Sequence, residues 1–404
     1  MSADVRAAPV GKRFFTPYMR VVTAVTLVGV GWGLYRMIFS LASVTNLNDQ
    51  YPMGLWIGVD VGMGVALAAG GFTTAALVYV LQREHFHLVL RAALLSALIR
   101  YTFVPIGLAF DLGRWYNIWH PAMPWMWQGN SVLFEIGMCV MSYLTVLYIE
   151  FAPIVFERFI GRVHLPGKLA RLDDLVDIVL RLADHVLGKV VFLFVIAGVV
   201  LSCLHQSSLG NLMVIAPYKL HPLYWSPLSP LFFLASAIAV GFPVVILEAL
   251  LVAWAFERKP PMNVLTPLAG LIPYLLGAYI ALKAGDMLYR GTYVFLLEGS
   301  VASIMFWIEF GFLTLVPFFM FMSPDVCRSR SGLFIGAAMY IVAVLLNRCA
   351  VFFIAYKPPY AEKAYVPAVG EFALSIGLLA AIVVAYRLLV TLFPVLPGSR
   401  DVIQ

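Results

Sequence analysis

Ten stretches of this chain each run for roughly twenty predominantly apolar residues, the length that carries an α-helix across a hydrocarbon core of about 30 Å. They lie near 21–43, 54–81, 89–112, 131–155, 187–206, 229–256, 263–284, 299–322, 333–356 and 366–393. Lipid offers no partner to a bare backbone N–H or C=O, so runs of this kind are confined to helices, and an open sheet is excluded. Over the 404 residues, 62% are hydrophobic and only 12% are charged, which leaves no polar surface for a sizeable soluble domain. The chain reads as an all-α integral membrane protein with about ten transmembrane helices. A cytoplasmic N-terminal segment covers 1–20, one polytopic domain covers 21–395, and a tail covers 396–404.

Lys and Arg near helix ends resist translocation, so the basic loops set the orientation. With a cytoplasmic N-terminus, that side receives fifteen of them: Arg6, Lys12, Arg13, Arg20, Arg83, Arg158, Arg162, Lys168, Arg171, Arg181, Arg258, Lys259, Arg328, Arg330 and Arg400. The other side receives six: Arg114, Lys219, Lys283, Arg290, Lys357 and Lys363. Both termini are therefore expected inside. The formal charge of +6 is spread over the loops and is no nucleic-acid footprint. No long apolar run or small-residue cleavage site occurs in the first twenty residues, so a removable secretory signal is not expected.

On this orientation the 113–130 loop lies outside, and Trp115, Trp119, Trp125 and Trp127 mark it as interfacial. The 157–185 stretch, with Asp173, Asp174, Asp177 and Asp184 among basic residues, reads as an amphipathic cytoplasmic connector. Gly62, Gly64, Ala68, Gly70 and Gly71 form a small-residue packing face on helix 2.

An ionisable residue at membrane depth costs about 2.5–3.5 kcal/mol on insertion scales and is a functional candidate for that reason. Asp60 in helix 2, Asp111 ending helix 3, Glu135 opening helix 4 and His205 near the end of helix 5 all fall in the outer leaflet, flanked by Tyr51, Trp56, Arg114, His120 and Gln206. Four successive helices bringing proton-exchanging groups to one depth suit a polar head on an apolar tail, and a quinone is such a ligand. Its carbonyls need donors, and on reduction each oxygen collects a proton. The alternative is structural, with Asp111 pairing Arg114 to cap helix 3 and Asp60 packing on a neighbour. A second set, Glu248, Glu309, Asn347, Arg348 and Glu371, suits either a proton path or an ion-pair lock between helices, and Arg100 carries the same ambiguity.

Some groups are expected to be absent. Cys139, Cys203, Cys327 and Cys349 form no C-x-x-C pair, so neither an iron–sulfur cluster nor a metal site is expected in this chain. A b-type haem between helices needs two axial ligands, usually histidines, and only His205 lies in a membrane helix, so no haem is expected. No phosphate loop is present. This chain alone is expected to have no catalytic residues.

Several segments together resemble the NrfD/PsrC family. They are Gln50-Tyr51-Pro52-Met53-Gly54-Leu55-Trp56-Ile57-Gly58-Val59-Asp60, Asp111-Leu112-Gly113-Arg114-Trp115-Tyr116, Asn130-Ser131-Val132-Leu133-Phe134-Glu135, Glu150-Phe151-Ala152-Pro153 with Phe156-Glu157-Arg158, and His205-Gln206-Ser207-Ser208-Leu209-Gly210. Tyr218-Lys219-Leu220-His221-Pro222-Leu223 and Met305-Phe306-Trp307-Ile308-Glu309 add to the likeness, which is greatest to the HybB-type membrane subunit of nickel–iron hydrogenase complexes. The resemblance implies two four-helix bundles, helices 2–5 at 54–206 and 6–9 at 229–356, with helices 1 and 10 flanking. It implies a site for menaquinone or ubiquinone in the first bundle. It also implies an iron–sulfur, ferredoxin-like partner on the periplasmic side, catalytic subunits such as the hydrogenase small and large chains, and the bacterial inner membrane as the location. The equivalent anchor of a polysulfide, tetrathionate, formate or cytochrome-linked complex stays open, and a proton-coupled transporter is a remote alternative.

Overall fold

The computed structural model describes residues 7–164, 166–361 and 363–398. Arg6 and Arg400, the outer ends of the N-terminal segment and of the tail, and the side chain of Lys168 lie outside the described residues. Ten helices among the described residues are long and apolar enough to cross a membrane: α1 (Pro17–Phe39), α2 (Ile57–Val80), α3 (Glu84–Asp111), α4 (Val132–Phe159), α5 (Ala170–Asn211), α6 (Ser229–Ala255), α7 (Met262–Tyr289), α8 (Val301–Met322), α9 (Arg330–Ile354) and α10 (Val369–Leu392). Each apolar run in the sequence finds its helix, with ends shifted by a few residues.

The largest shift is in α5. The second half of the expected connector and the span after it form one rod, α-helical over Asp173–Asn211 for 39 residues. At 1.5 Å per residue this is about 58 Å, nearly twice the hydrocarbon thickness. No proline interrupts it, and Asp173 and Asp174 in the first turn complement the positive helix end.

Helix neighbours fall into two closed rings. In the first, α2 packs on α3, α3 on α4, α4 on α5 and α5 back on α2; in the second, α6 through α9 close in the same way. α2 is seated against α6 and α9, which joins the rings, while α1 and α10 pair and lean on α3. Small residues permit these approaches. A Cβ on Gly29 of α1 would stand 2.5 Å from the Cα of Gly377 of α10, and one on Gly71 of α2 would stand 2.5 Å from the Cβ of Ala97 of α3.

Four stretches widen into π turns: Ile57–Met63, Ala76–Val80, Trp307–Phe312 and Ala350–Ile354. A π turn inserts a residue and re-aims the side chains around it, and such turns recur at functional sites. Asp60 and Glu309 sit inside two of them.

Ala7–Ala8 (β1) pairs antiparallel with Leu396–Pro397 (β2), so the described chain ends meet on one side, here the terminal face. On the far face, residues 113–130 fold into short 3-10 turns at Trp115–Asn117, His120–Ala122 and Pro124–Met126, and Trp115, Trp119, Trp125 and Trp127 are exposed.

Candidate functional site

The predicted outer-leaflet residues all lie in the far-face half, but they divide into two groups. Asp60 faces α10, where Ser375 Oγ donates to Asp60 Oδ2 at 2.6 Å. Gly107 of α3 presses on the same aspartate, since a Cβ there would lie 3.0 Å from the Asp60 Cβ. Asp111, at the end of α3, has a buried Oδ1 without a hydrogen-bond partner. Arg36, Glu371 and Asp60 are within its electrostatic reach.

Glu371 belongs with these aspartates rather than with the second polar set. It is fully buried, and its Oε1 accepts from Asn46 N at 3.1 Å and Ala368 N at 3.0 Å. Tyr365 Oη donates to Oε2, and the same phenol oxygen accepts from Leu55 N at 3.1 Å. Trp56 Nε1 donates to the Glu371 carbonyl at 3.1 Å, and Tyr51 stacks on the Tyr365 ring at 6.0 Å. Two far-face connections, near residues 40–56 and 355–368, thus fold over the start of α10 and cage its glutamate. Burial, and then the bond to Glu371, hold the Tyr365 phenol above the ordinary tyrosine value.

The second group lies inside the first ring. His205 is fully buried; its Nδ1 is 3.0 Å from Tyr101 Oη, and its Nε2 has no partner. Gln206 Nε2 donates to Val65 O at 2.9 Å, while its Oε1 is buried without a partner. Ser208, one turn below His205 in sequence, donates to Glu135 Oε1 at 2.5 Å. With Tyr101 donating to Nδ1, the Nε2 of His205 carries its hydrogen and presents a donor.

Arg114 is exposed and makes no ion pair among the described residues, so it does not cap Asp111. Arg36 of α1 takes that place. It is buried, donates from Nε to Phe110 O at 2.6 Å and bonds Leu112 O, which covers the open carbonyl end of α3. An arginine inside the first apolar run was the signal for this role. Tyr101 and Tyr365 carried no comparable signal, since an aromatic in a helix or loop is ordinary.

The second polar set forms a network in the other ring. Lys283 Nζ is 2.9 Å from Glu309 Oε1, and Asn347 Nδ2 donates to the same oxygen at 3.1 Å. Arg348 NH1 donates to Asn347 Oδ1 at 2.9 Å and NH2 to Ser236 Oγ at 2.9 Å, with its guanidinium 3.7 Å from the Phe233 ring centroid. Lys283, assigned by sequence to a far-side loop, belongs to α7, which continues to Tyr289. Toward the far face, Asp286 accepts from Ser226 at 3.0 Å and pairs with Arg290 at 2.8 Å. A cavity of about 20 Å³ touches Lys283, Asp286 and Asn347, room for one water. Glu248 stands apart, paired with Arg100 of α3 toward the terminal face.

Comparison with known proteins bears on these groups. The family described as "Polysulphide reductase, NrfD" matches residues 44–358. The "Probable Ni/Fe-hydrogenase 2 b-type cytochrome subunit" of Escherichia coli is 34% identical over 369 residues, 91% of this chain and 89% of that one. A protein of Nitratidesulfovibrio vulgaris is 31% identical over 98% of both chains. The "Menaquinone reductase, integral membrane subunit" of the same organism is 26% identical, over 94% of this chain and 92% of its own.

The expectation that the chain holds no haem is corrected by the first of these names, since a b-type cytochrome subunit is a haem-bearing chain. With its Nδ1 hydrogen donated to Tyr101 instead, His205 Nε2 would be free of hydrogen and could ligate haem iron. No second histidine is seen facing it among the described residues: His85, His164 and His221 engage Asn263, Asp173 and Glu298, His87 and His120 lie against Tyr79 and Trp119, and His185 is exposed. The described residues therefore provide one of the two histidines that such a site needs.

Proposed function

This chain belongs to the NrfD polysulphide reductase family, and we propose that it is the quinone-reactive membrane subunit of a respiratory oxidoreductase, passing electrons from a partner's iron–sulfur chain to menaquinone or ubiquinone. The observation that carries the reading is a set of buried polar atoms in the far-face half, each without a partner: Asp111 Oδ1, His205 Nε2 and Gln206 Oε1. A buried polar atom left unpaired costs about 1–3 kcal/mol, and a carbonyl- or hydroxyl-bearing ligand relieves that cost.

In this reading His205, fixed by Tyr101, donates to one quinone oxygen, and Gln206 Oε1, held by the hydrogen bond from its Nε2 to Val65 O, accepts from the hydroxyl of the reduced form. Reduction adds two electrons and two protons, and Asp60, Asp111 and Glu135 are the carboxylates on hand to relay protons. Trp56, Tyr51 and Arg114 complete the far-face group, Trp56 and Tyr51 by bracing the cage around Glu371. Glu248, Glu309, Asn347, Arg348 and Glu371 form the proposed proton path, though Glu371 joins it only through the Asp60 group.

The names of the relatives support a complex with catalytic subunits; we propose that these are, in the first instance, those of a nickel–iron hydrogenase, with a ferredoxin-like partner on the far face. The equivalent anchor of a polysulfide or other reductase is the second reading, favoured by the family's own description. The basic asymmetry supports the bacterial inner membrane with the terminal face in the cytoplasm, and the unpartnered His205 Nε2 and Gln206 Oε1 support helices 2–5 as the quinone-site bundle.

The test is purification of the intact complex through a tag on this chain, with mass spectrometry of partners and a quinone-turnover assay. A nickel-binding subunit, bound quinone and a turnover loss of about 10²-fold in His205→Ala, with dye-linked activity retained, are expected. Unchanged turnover in His205→Ala, in a fully assembled complex, removes His205 from the site.

A further inference from the structure

The terminal face holds a cleft whose cationic lining the proposed function does not use; of the proposed proton path, Glu248 alone lines it. One compartment, about 380 Å³, lies between α3, α6 and the start of α7, with walls such as Leu88, Val89, Val245, Val252 and Met262. A second, about 210 Å³, lies between α1, α6 and α10 and includes Tyr18, Leu251 and Ile382. Glu248, Val252 and Tyr386 line both, so the two compartments adjoin.

The cleft is apolar in its walls and cationic in its charges. Arg258, Lys259 and Arg330 line the first compartment, and Arg100 and Arg387 line the second. Of these five, only Arg100 has a carboxylate partner among the described residues, namely Glu248. Arg258 NH1 donates to Pro397 O at 2.7 Å, which fastens β2 along the cleft without neutralising the charge. Arg387 is 6% exposed, its NH2 donates to the Arg13 carbonyl at 2.8 Å, and its Nε has no partner at all. A buried guanidinium with an unfilled N–H and no anion nearby is a costly arrangement unless a ligand supplies the anion.

Position narrows the ligand. Arg258 and Lys259 follow the end of α6 and precede α7, and Arg330 opens α9, so the cations stand at the level where apolar helix meets polar loop. A molecule with an anionic head at that level and an apolar chain reaching inward matches the cleft in both charge and polarity.

We propose that this cleft binds one anionic glycerophospholipid, its phosphate held by the unpaired cations and an acyl chain lying along the two compartments. Such a lipid would join α3 of the first ring, α6 of the second and the flanking pair α1 and α10 on this face. Cations near a membrane surface each contribute about fivefold to binding an anionic lipid, so loss of two weakens it about thirtyfold.

The test uses the full chain, purified in mild detergent, with phospholipid quantified by extraction and native mass spectrometry. It is then delipidated and placed in nanodiscs of phosphatidylcholine alone or with phosphatidylglycerol. One phosphatidylglycerol or cardiolipin per chain is expected to survive purification, and phosphatidylglycerol should raise the melting temperature. Lys259→Gln with Arg330→Gln should weaken both effects about thirtyfold in apparent affinity. Arg83→Gln with Arg162→Gln, which removes the same charge from loops of the same face, should change neither. Equal loss in both pairs reduces the effect to general surface charge and overturns the site. Recovery of a neutral lipid or a quinone in the cleft, no stoichiometric phospholipid, or the same thermal shift from inorganic phosphate alone also overturns it.

Discussion

Lys283 and Glu309 offer a quantitative test of how the second ring is held. Their side chains are 9% and 3% exposed, and Nζ lies 2.9 Å from Oε1. At an effective dielectric of about 20 the attraction is roughly 6 kcal/mol, most of it offset by the cost of drying both ions. Lys283→Met keeps the aliphatic stem against Phe306 and Phe310, whose ring centroids lie 4.8 and 5.0 Å from the ammonium, but leaves Glu309 buried with only Asn347 as donor. Breaking one partner of such a pair costs about 3–5 kcal/mol, and the remaining Asn347 bond puts this case near 3. Lys283→Met with Glu309→Gln removes both charges while Gln keeps an oxygen for Asn347, so the double variant should lie within about 1 kcal/mol of the parent. Reversible unfolding in mixed micelles, read by tryptophan fluorescence, gives the double-mutant cycle directly. A coupling of about 2 kcal/mol or more supports a locked pair. If the double variant loses the sum of what Lys283→Met and Glu309→Gln lose separately, the two residues are not energetically joined and the reasoning fails. The stable double variant also separates structure from transport, since restored stability with lost proton uptake in proteoliposomes would assign Glu309 to a proton path.

Other residues make sharper single tests. Asp60→Asn retains an acceptor for Ser375 and should leave assembly intact while lowering quinone turnover about 10²-fold, so unchanged turnover in the assembled complex excludes a proton role for Asp60. Gly29→Ala drives a methyl into Gly377 and should cost about 1–3 kcal/mol, seen as a lower melting temperature; an unchanged midpoint means α1 and α10 can separate freely. Tyr365→Phe removes the donor to Glu371 and the acceptor for Leu55 N, at a cost of about 1–3 kcal/mol. Because burial raises that phenol, its contribution is complete below the free-tyrosine value of about 10 and is lost only above it. The stability difference between parent and Tyr365→Phe should therefore be flat from neutral pH to about 10, and a difference that fades below pH 9 contradicts the geometry.

Much of this molecule was legible before folding. Hydrophobic run length alone determined the number of helices, because each must cross the same thickness and satisfy its own backbone. The intramembrane cost of charge singled out Asp60, Asp111, His205, Glu309 and Arg348, each of which sits in a polar network or lacks a partner in the buried interior, and Glu135, which is exposed and accepts from Ser208. Run length could not tell that the second half of the 157–185 stretch continues into 187–206 as one helix, Asp173–Asn211, since amphipathic and apolar stretches share the same backbone period. The chain order of residues also did not tell which carboxylate meets which base. Glu371 joins Tyr365 and the Asp60 group, Arg36 replaces Arg114 beside Asp111, and Lys283 answers Glu309, because helix rotation and π turns aim side chains across contacts that are remote in sequence. Pairing between helices is a property of packing, and only the tertiary structure decided it.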